Sequence, residues 1–128
     1  MLELAGSVDG KKVADLGAGD GRIAITFAKK GAHVDAYEID DKLYNKLKEN
    51  VKNEKLEGSI FCHKTDFWET DLSEFDIICI YPMPDVMAAL EEKLKREIKE
   101  GTKLITNYYV IPKWTCKESK DNVYLYIK

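Results

Sequence analysis

Apolar residues along this chain follow two alternating rhythms, short unbroken runs and longer stretches with apolar positions every three or four residues. Runs of the first kind read as strands and stretches of the second as helices. Residues 2–7 read as the end of a helix, Asp9-Gly10 as a turn, and Lys12–Leu16 as a first strand. From about Gly21 to Lys30 the residues Ile23, Ala24, Phe27 and Ala28 share one helical face, and Gly31 stops the helix. A second strand is expected at 33–38. The next helix, about 41–56, is capped by Asp40 and carries Leu43, Leu47 and Val51 on one side. Residues 59–63 read as a third strand and 76–81 as a buried central one. A helix starting at Asp85 then places Val86, Leu90, Leu94 and Ile98 in register, before a fifth strand at 103–110. The polar stretch 117–122 reads as a turn and 123–127 as a last strand, making a small antiparallel hairpin at the sheet edge. Strand and helix in alternation predict an α/β fold with a mostly parallel, doubly wound sheet and an antiparallel C-terminal edge strand. Helices on both faces make it three-layer αβα, a single domain over residues 1–128.

The chemistry gathers where the first strand meets its helix, at Asp15-Leu16-Gly17-Ala18-Gly19-Asp20-Gly21-Arg22. Glycines at alternate positions let the backbone turn sharply and leave room for a ligand to approach it. The following helix adds free N–H groups and the positive end of its dipole. A dinucleotide fingerprint, Gly-x-Gly-x-x-Gly, needs glycine where Arg22 stands, so a pyrophosphate is disfavoured. Gly17, Ala18, Gly19 and Gly21 are the candidate cradle, with Asp15 before it. Glu38 closes the second strand ~20 positions after the turn, where a carboxylate accepts from both ribose hydroxyls. Ile39 follows it.

Further along, Asp66 could accept from an adenine amine, and Phe67 or Trp68 could pack on the ring. The plainer alternative is an Asx turn with two core aromatics. Tyr81-Pro82-Met83-Pro84-Asp85 follows the fourth strand at the carboxyl edge, where open α/β sheets bind ligands. Tyr81 and Asp85 are the catalytic candidates, although Asp85 reads first as a helix N-cap. Tyr81 is also a candidate cofactor contact.

Composition narrows the partners. A formal charge of -3 and a pI near 5.5 argue against a broad nucleic-acid footprint. Three scattered cysteines without a C-x-x-C, and two histidines, give no metal cluster and suit a reducing, cytoplasmic setting. Residues 2–5 begin neither a signal peptide nor a membrane span.

With Asp15-Leu16-Gly17-Ala18-Gly19-Asp20-Gly21-Arg22-Ile23 and Glu38-Ile39-Asp40 in place, the chain resembles the class I, seven-strand, Rossmann-like methyltransferases that use S-adenosylmethionine. Leu94-Lys95-Arg96-Glu97-Ile98-Lys99-Glu100-Gly101-Thr102 and Val123-Tyr124-Leu125-Tyr126 narrow it. These segments are similar to the small archaeal protein-lysine methyltransferases and to mitochondrial relatives that modify carrier and ATP synthase subunits. The resemblance implies cofactor contacts at Asp15, Gly17, Gly19, Glu38 and Asp66, and methyl transfer to a lysine ε-amine of a protein. Members of the family carry a proline- and tyrosine-containing segment before the helix that corresponds to 2–7, which helps to cover the cofactor, and this sequence departs from them there.

Such a transfer asks the protein mainly for positioning, and a lysine must arrive neutral from an unperturbed pKa near ~10.4. An apolar, aromatic slot favours the neutral form, and Tyr81, Tyr108, Tyr109 and Trp114 are the aromatics placed near it. No dedicated general base is identified. Rival readings are a methyltransferase acting on RNA, DNA or a small molecule, and a cofactor-binding relic without activity. Tyr81-Pro82-Met83-Pro84 lacks the amide side chain that base-amine methyltransferases present after the fourth strand.

Overall fold

The computed structural model describes residues 2–64, 68, 70–81, 87–112 and 114–128. Seven strands form one sheet: β1 (Lys12–Leu16), β2 (His33–Tyr37), β3 (Ile60–His63), β4 (Ile77–Ile80), β5 (Lys103–Asn107), β6 (Glu118–Lys120) and β7 (Val123–Ile127). Their spatial order is β3-β2-β1-β4-β5-β7-β6. The first five run parallel, and β7 lies antiparallel to both β5 and β6. The chain moves outward from β1 to β3, then returns to the other side of β1 to lay down β4. That reversal makes the carboxyl ends of β1 and β4 the switch point of the sheet.

Two cores flank the sheet because side chains alternate across it. Val13, Ala36, Ile77, Cys79 and Ile105 point to one face, covered by α1 (Leu2–Ala5), α2 (Arg22–Lys29) and α3 (Asp41–Asn53). Ala14, Leu16, Ile78, Ile80 and Leu104 point to the other, covered by α4 (Met87–Glu97) and the 3₁₀ turn Leu72–Glu74. Every residue of β4 is buried, as its unbroken apolar run requires. Lys93 and Glu97 of α4 form a half-hidden ion pair at 2.6 Å. The other Glu97 oxygen accepts the N–H of Leu72, fastening the 3₁₀ turn to α4.

The elements stand where the apolar rhythm put them, with instructive differences at their ends. Helix α3 stops at Asn53 rather than running to 56, because Lys55 turns into the left-handed region (φ 58°). Leu43, expected in the core, is exposed, since the first turn of α3 stands at the carboxyl edge of the sheet; Leu47 and Val51 are buried. Strand β5 ends at Asn107 instead of 110, where Tyr108 takes φ 61°. The stretch 117–122, expected as turn alone, contains β6. Its two-residue loop to β7, Asp121-Asn122, has positive φ at both positions, as a type I′ hairpin needs.

Candidate active site

The glycine turn is held from two sides. The N–H groups of Gly17 and Ala18 both donate to the Tyr37 carbonyl, at 3.1 and 2.9 Å, tying the turn to the end of β2. From α3, the Asn50 amide donates to the Asp20 carbonyl at 2.9 Å. Gly21, with φ 95°, faces α3 so closely that a Cβ there would stand 2.6 Å from Leu47 Cδ1. Its lack of a side chain therefore serves packing. At Gly19, also left-handed, an added Cβ would meet nothing within 4 Å, so this glycine borders open space. Asn50 and Leu47 are supports that the sequence reading missed, because a polar and an apolar residue on a surface helix carry no signal of what they touch.

Glu38 follows β2 directly, and the pleat turns its carboxylate back toward the turn. Oε1 accepts the N–H of Gly19 at 2.8 Å and Oε2 the N–H of Asp40 at 3.0 Å. Each oxygen keeps acceptor capacity, so the pair is oriented for two further donors, as a ribose offers. The side chain of Asp40 caps α3 by accepting from Leu43 N–H, as expected. Ile39 is exposed beside them.

Asp15 sits behind the turn, 2% exposed, with one carboxylate oxygen, Oδ2, lacking a partner among the described residues. Burial, and then the neighbouring Glu38 charge, push its pKa up to about 7, against the pull of the Ala24 N–H at the start of α2. Cys79, its register partner on β4, is buried beside it, and burial pushes that thiol upward too.

Tyr81 leaves β4 with its N–H on the Leu16 carbonyl, at 3.2 Å, so its backbone flanks Gly17 across the switch point. Its side chain is exposed. Of the other aromatics placed near an acceptor slot, Tyr108 stands exposed after β5. Tyr109 and Trp114 turn inward onto the α4-side core, Trp114 meeting Tyr126 edge-on at 6.3 Å. Trp68 is partly buried against that same core. Asp66, Phe67 and Asp85 lie outside the described residues.

Strand order, the glycine turn and the doubly held Glu38 thus come together at the carboxyl edge of a seven-strand sheet, beside its switch point. A model of the ANTKMT methyltransferase domain matches residues 15–118. The chain belongs to this methyltransferase family. A protein-lysine N-methyltransferase of Saccharolobus islandicus is 33% identical over 99% of this chain and 85% of its own length. The adenine nucleotide translocase lysine N-methyltransferase of Mus musculus is 27% identical over 90% of this chain but 52% of its own. The chain spans about half the length of the mammalian relatives it matches. Among solved structures, an RNA methyltransferase of Salinibacter ruber in complex with S-adenosyl-L-homocysteine superposes with a TM-score of 0.90. It is 30% identical, covering 98% of this chain and 86% of that one.

The residues present fit the cofactor of this family, S-adenosylmethionine. Glu38 would hold the ribose hydroxyls, the open side of Gly19 would admit the ligand, and exposed Ile39 would lie against the base. The buried oxygen of Asp15, unpartnered among the described residues, is an acceptor suited to a cationic amine. Among the described residues no group of three or more His, Cys, Asp or Glu could hold a metal, and no helix is long and apolar enough to cross a membrane.

Proposed function

We propose that the chain is an S-adenosylmethionine-dependent methyltransferase that acts on lysine ε-amines of proteins. The observation that carries the reading is Glu38, whose two oxygens are fixed by Gly19 and Asp40 at the edge where the glycine turn opens. The lysine half rests on the archaeal relative, which is similar along nearly the whole of this chain. When bound, the cofactor supplies a methyl group activated on a sulfonium sulfur. The chain's own residues do the rest. Glu38 and the turn fix the nucleoside, Asp15 faces the amino-acid end, and Tyr81 lines the acceptor side. The Tyr81 ring there would shield an arriving amine from water and favour its neutral, nucleophilic form.

A second reading, methylation of RNA, is favoured by the name of the Salinibacter ruber structure. Against it stands the formal charge of -3, which supplies little attraction for phosphates. Labelled methyl transfer from S-adenosylmethionine into a cell extract separates the two. Label lost to protease and recovered as methyl-lysine supports the proposal; label lost to nuclease replaces it with the second reading.

A further inference from the structure

Strand β5 ends in an unusual way. Tyr108 takes φ 61°, a left-handed backbone that a bulky aromatic side chain rarely adopts and that glycine or asparagine would accept readily. Such strain persists only where the surroundings enforce it. Here they do. The Tyr108 N–H donates to the Asn122 carbonyl in the β6–β7 turn at 2.6 Å. The Thr106 hydroxyl donates to the Tyr109 carbonyl, and the Tyr109 hydroxyl donates to Glu91 of α4 at 2.5 Å. The Ile111 N–H donates to the Tyr126 hydroxyl at 2.9 Å. Residues on both sides are thus pinned inward, while the Tyr108 side chain stands 67% exposed. Nothing in that arrangement needs an aromatic ring at 108; the ring is available to something outside the fold.

Its position says to what. The register pairs Ile80 with Thr106, which puts Tyr81 alongside Asn107 and one residue from Tyr108. Asn107, which precedes Tyr108, and Lys120 and Asp121, which precede the Asn122 that holds it, line a groove of about 540 Å³ between α1, α2 and β7. The same groove reaches Arg22, the first residue of α2 after the glycine turn. The groove thus runs from the residue after the glycine turn to Asn107, the residue before the exposed Tyr108.

We propose that Tyr108 is a positioning residue for the acceptor. Its ring packs on the methylenes of the target lysine as that side chain enters. A tyrosine face suits both the alkyl stem and the ammonium head of lysine. The inference rests on the lysine reading above and adds which residue selects the acceptor. Because Tyr108 acts on entry, it sets the acceptor concentration needed for half-maximal rate and leaves turnover at saturation and cofactor affinity alone.

The test uses Tyr108→Asn, which keeps a residue at ease in the left-handed region, beside Tyr108→Phe, which keeps the ring. Methyl-lysine formation is followed while the protein fraction of a cell extract is titrated as acceptor. In parallel, S-adenosylhomocysteine binding is measured by calorimetry and unfolding by circular dichroism. Tyr108→Asn should raise the half-saturating acceptor concentration roughly tenfold, while Tyr108→Phe stays within about twofold of wild type. Both should bind S-adenosylhomocysteine as wild type does and melt no lower. Wild-type half-saturation in Tyr108→Asn would overturn the inference, as would a loss confined to cofactor affinity or to turnover at saturation. If wild-type protein itself makes no methyl-lysine, the lysine reading fails and takes this inference with it, an outcome the variants cannot mimic.

Discussion

The Glu38 carboxylate accepts the Gly19 N–H at 2.8 Å, joining the end of β2 to the glycine turn across 19 positions of sequence. The turn and the acid that would take the ribose are thus one assembled unit before any ligand arrives. Binding then needs little ordering of the chain, which is where preorganised sites gain affinity.

Glu38→Ala removes both the ribose acceptors and the brace on Gly19. Affinity for S-adenosylhomocysteine should fall by roughly 30- to 100-fold, measured by calorimetry, while the far-ultraviolet circular dichroism stays that of the wild type. Glu38→Gln should fall between the two, because its NH₂ must face one of two backbone N–H donors and lose that bond.

Asp15 gives a pH signature. Its carboxyl is raised from 3.8 to about 7, so the folded state holds that proton more tightly than the unfolded chain. Between about pH 4 and pH 7 the unfolded state ionises first, and stability falls as pH rises through this window, levelling off above it. Asp15→Asn should remove that slope, gaining on the order of 2 kcal/mol at pH 8 and little at pH 4 by urea unfolding. A cationic amine beside the carboxylate reverses the shift. Binding of S-adenosylhomocysteine at pH 6 should therefore release up to about one proton, read as a buffer-dependent heat, and almost none at pH 8.5.

Gly21→Ala meets two penalties, a left-handed backbone and a Cβ 2.6 Å from Leu47 Cδ1. Together they should cost about 2–4 kcal/mol in a denaturant titration. Adding Leu47→Ala should relieve the steric part of the Gly21 penalty while imposing its own cavity cost, so the double variant is less destabilised than the sum of the singles.

The Lys93–Glu97 pair offers an asymmetric comparison. Glu97→Ala strands a lysine that is 6% exposed and leaves the Leu72 N–H without its acceptor. A loss of about 2–4 kcal/mol is expected. Lys93→Met should cost less, since Arg96 still stands 3.5 Å from Glu97. Urea midpoints of the two variants check the order.

Much of this molecule could be read from its residues, for physical reasons. The motif from Asp15 to Arg22 is legible because only glycine meets its backbone demands, and Glu38 because strand length fixes its distance from the turn. Asp40 as a cap depends on three neighbouring residues alone. What escaped depends on contacts distant in sequence. Tyr108 ends β5 through the Asn122 carbonyl, and β6 exists only because β7 pairs with it, although its own residues are all polar and exposed. The packing role of Gly21 needed Leu47, and the orphaned oxygen of Asp15 needed the whole buried layer around it.

The place of β7 has a consequence for the order of folding. It is the last strand of the chain, yet it sits between β5 and β6. Strands β1 to β5 can pair as they are synthesised, bringing Glu38 to Gly19 from residues that are near in sequence. The outer sheet must wait until the chain has passed the Asp121-Asn122 turn and doubled back, although its pairings are local, β6 with β7 across a single hairpin. Only then does the Asn122 carbonyl reach Tyr108. A nascent chain would assemble the glycine turn and Glu38 first and the end of β5 with Tyr108 last.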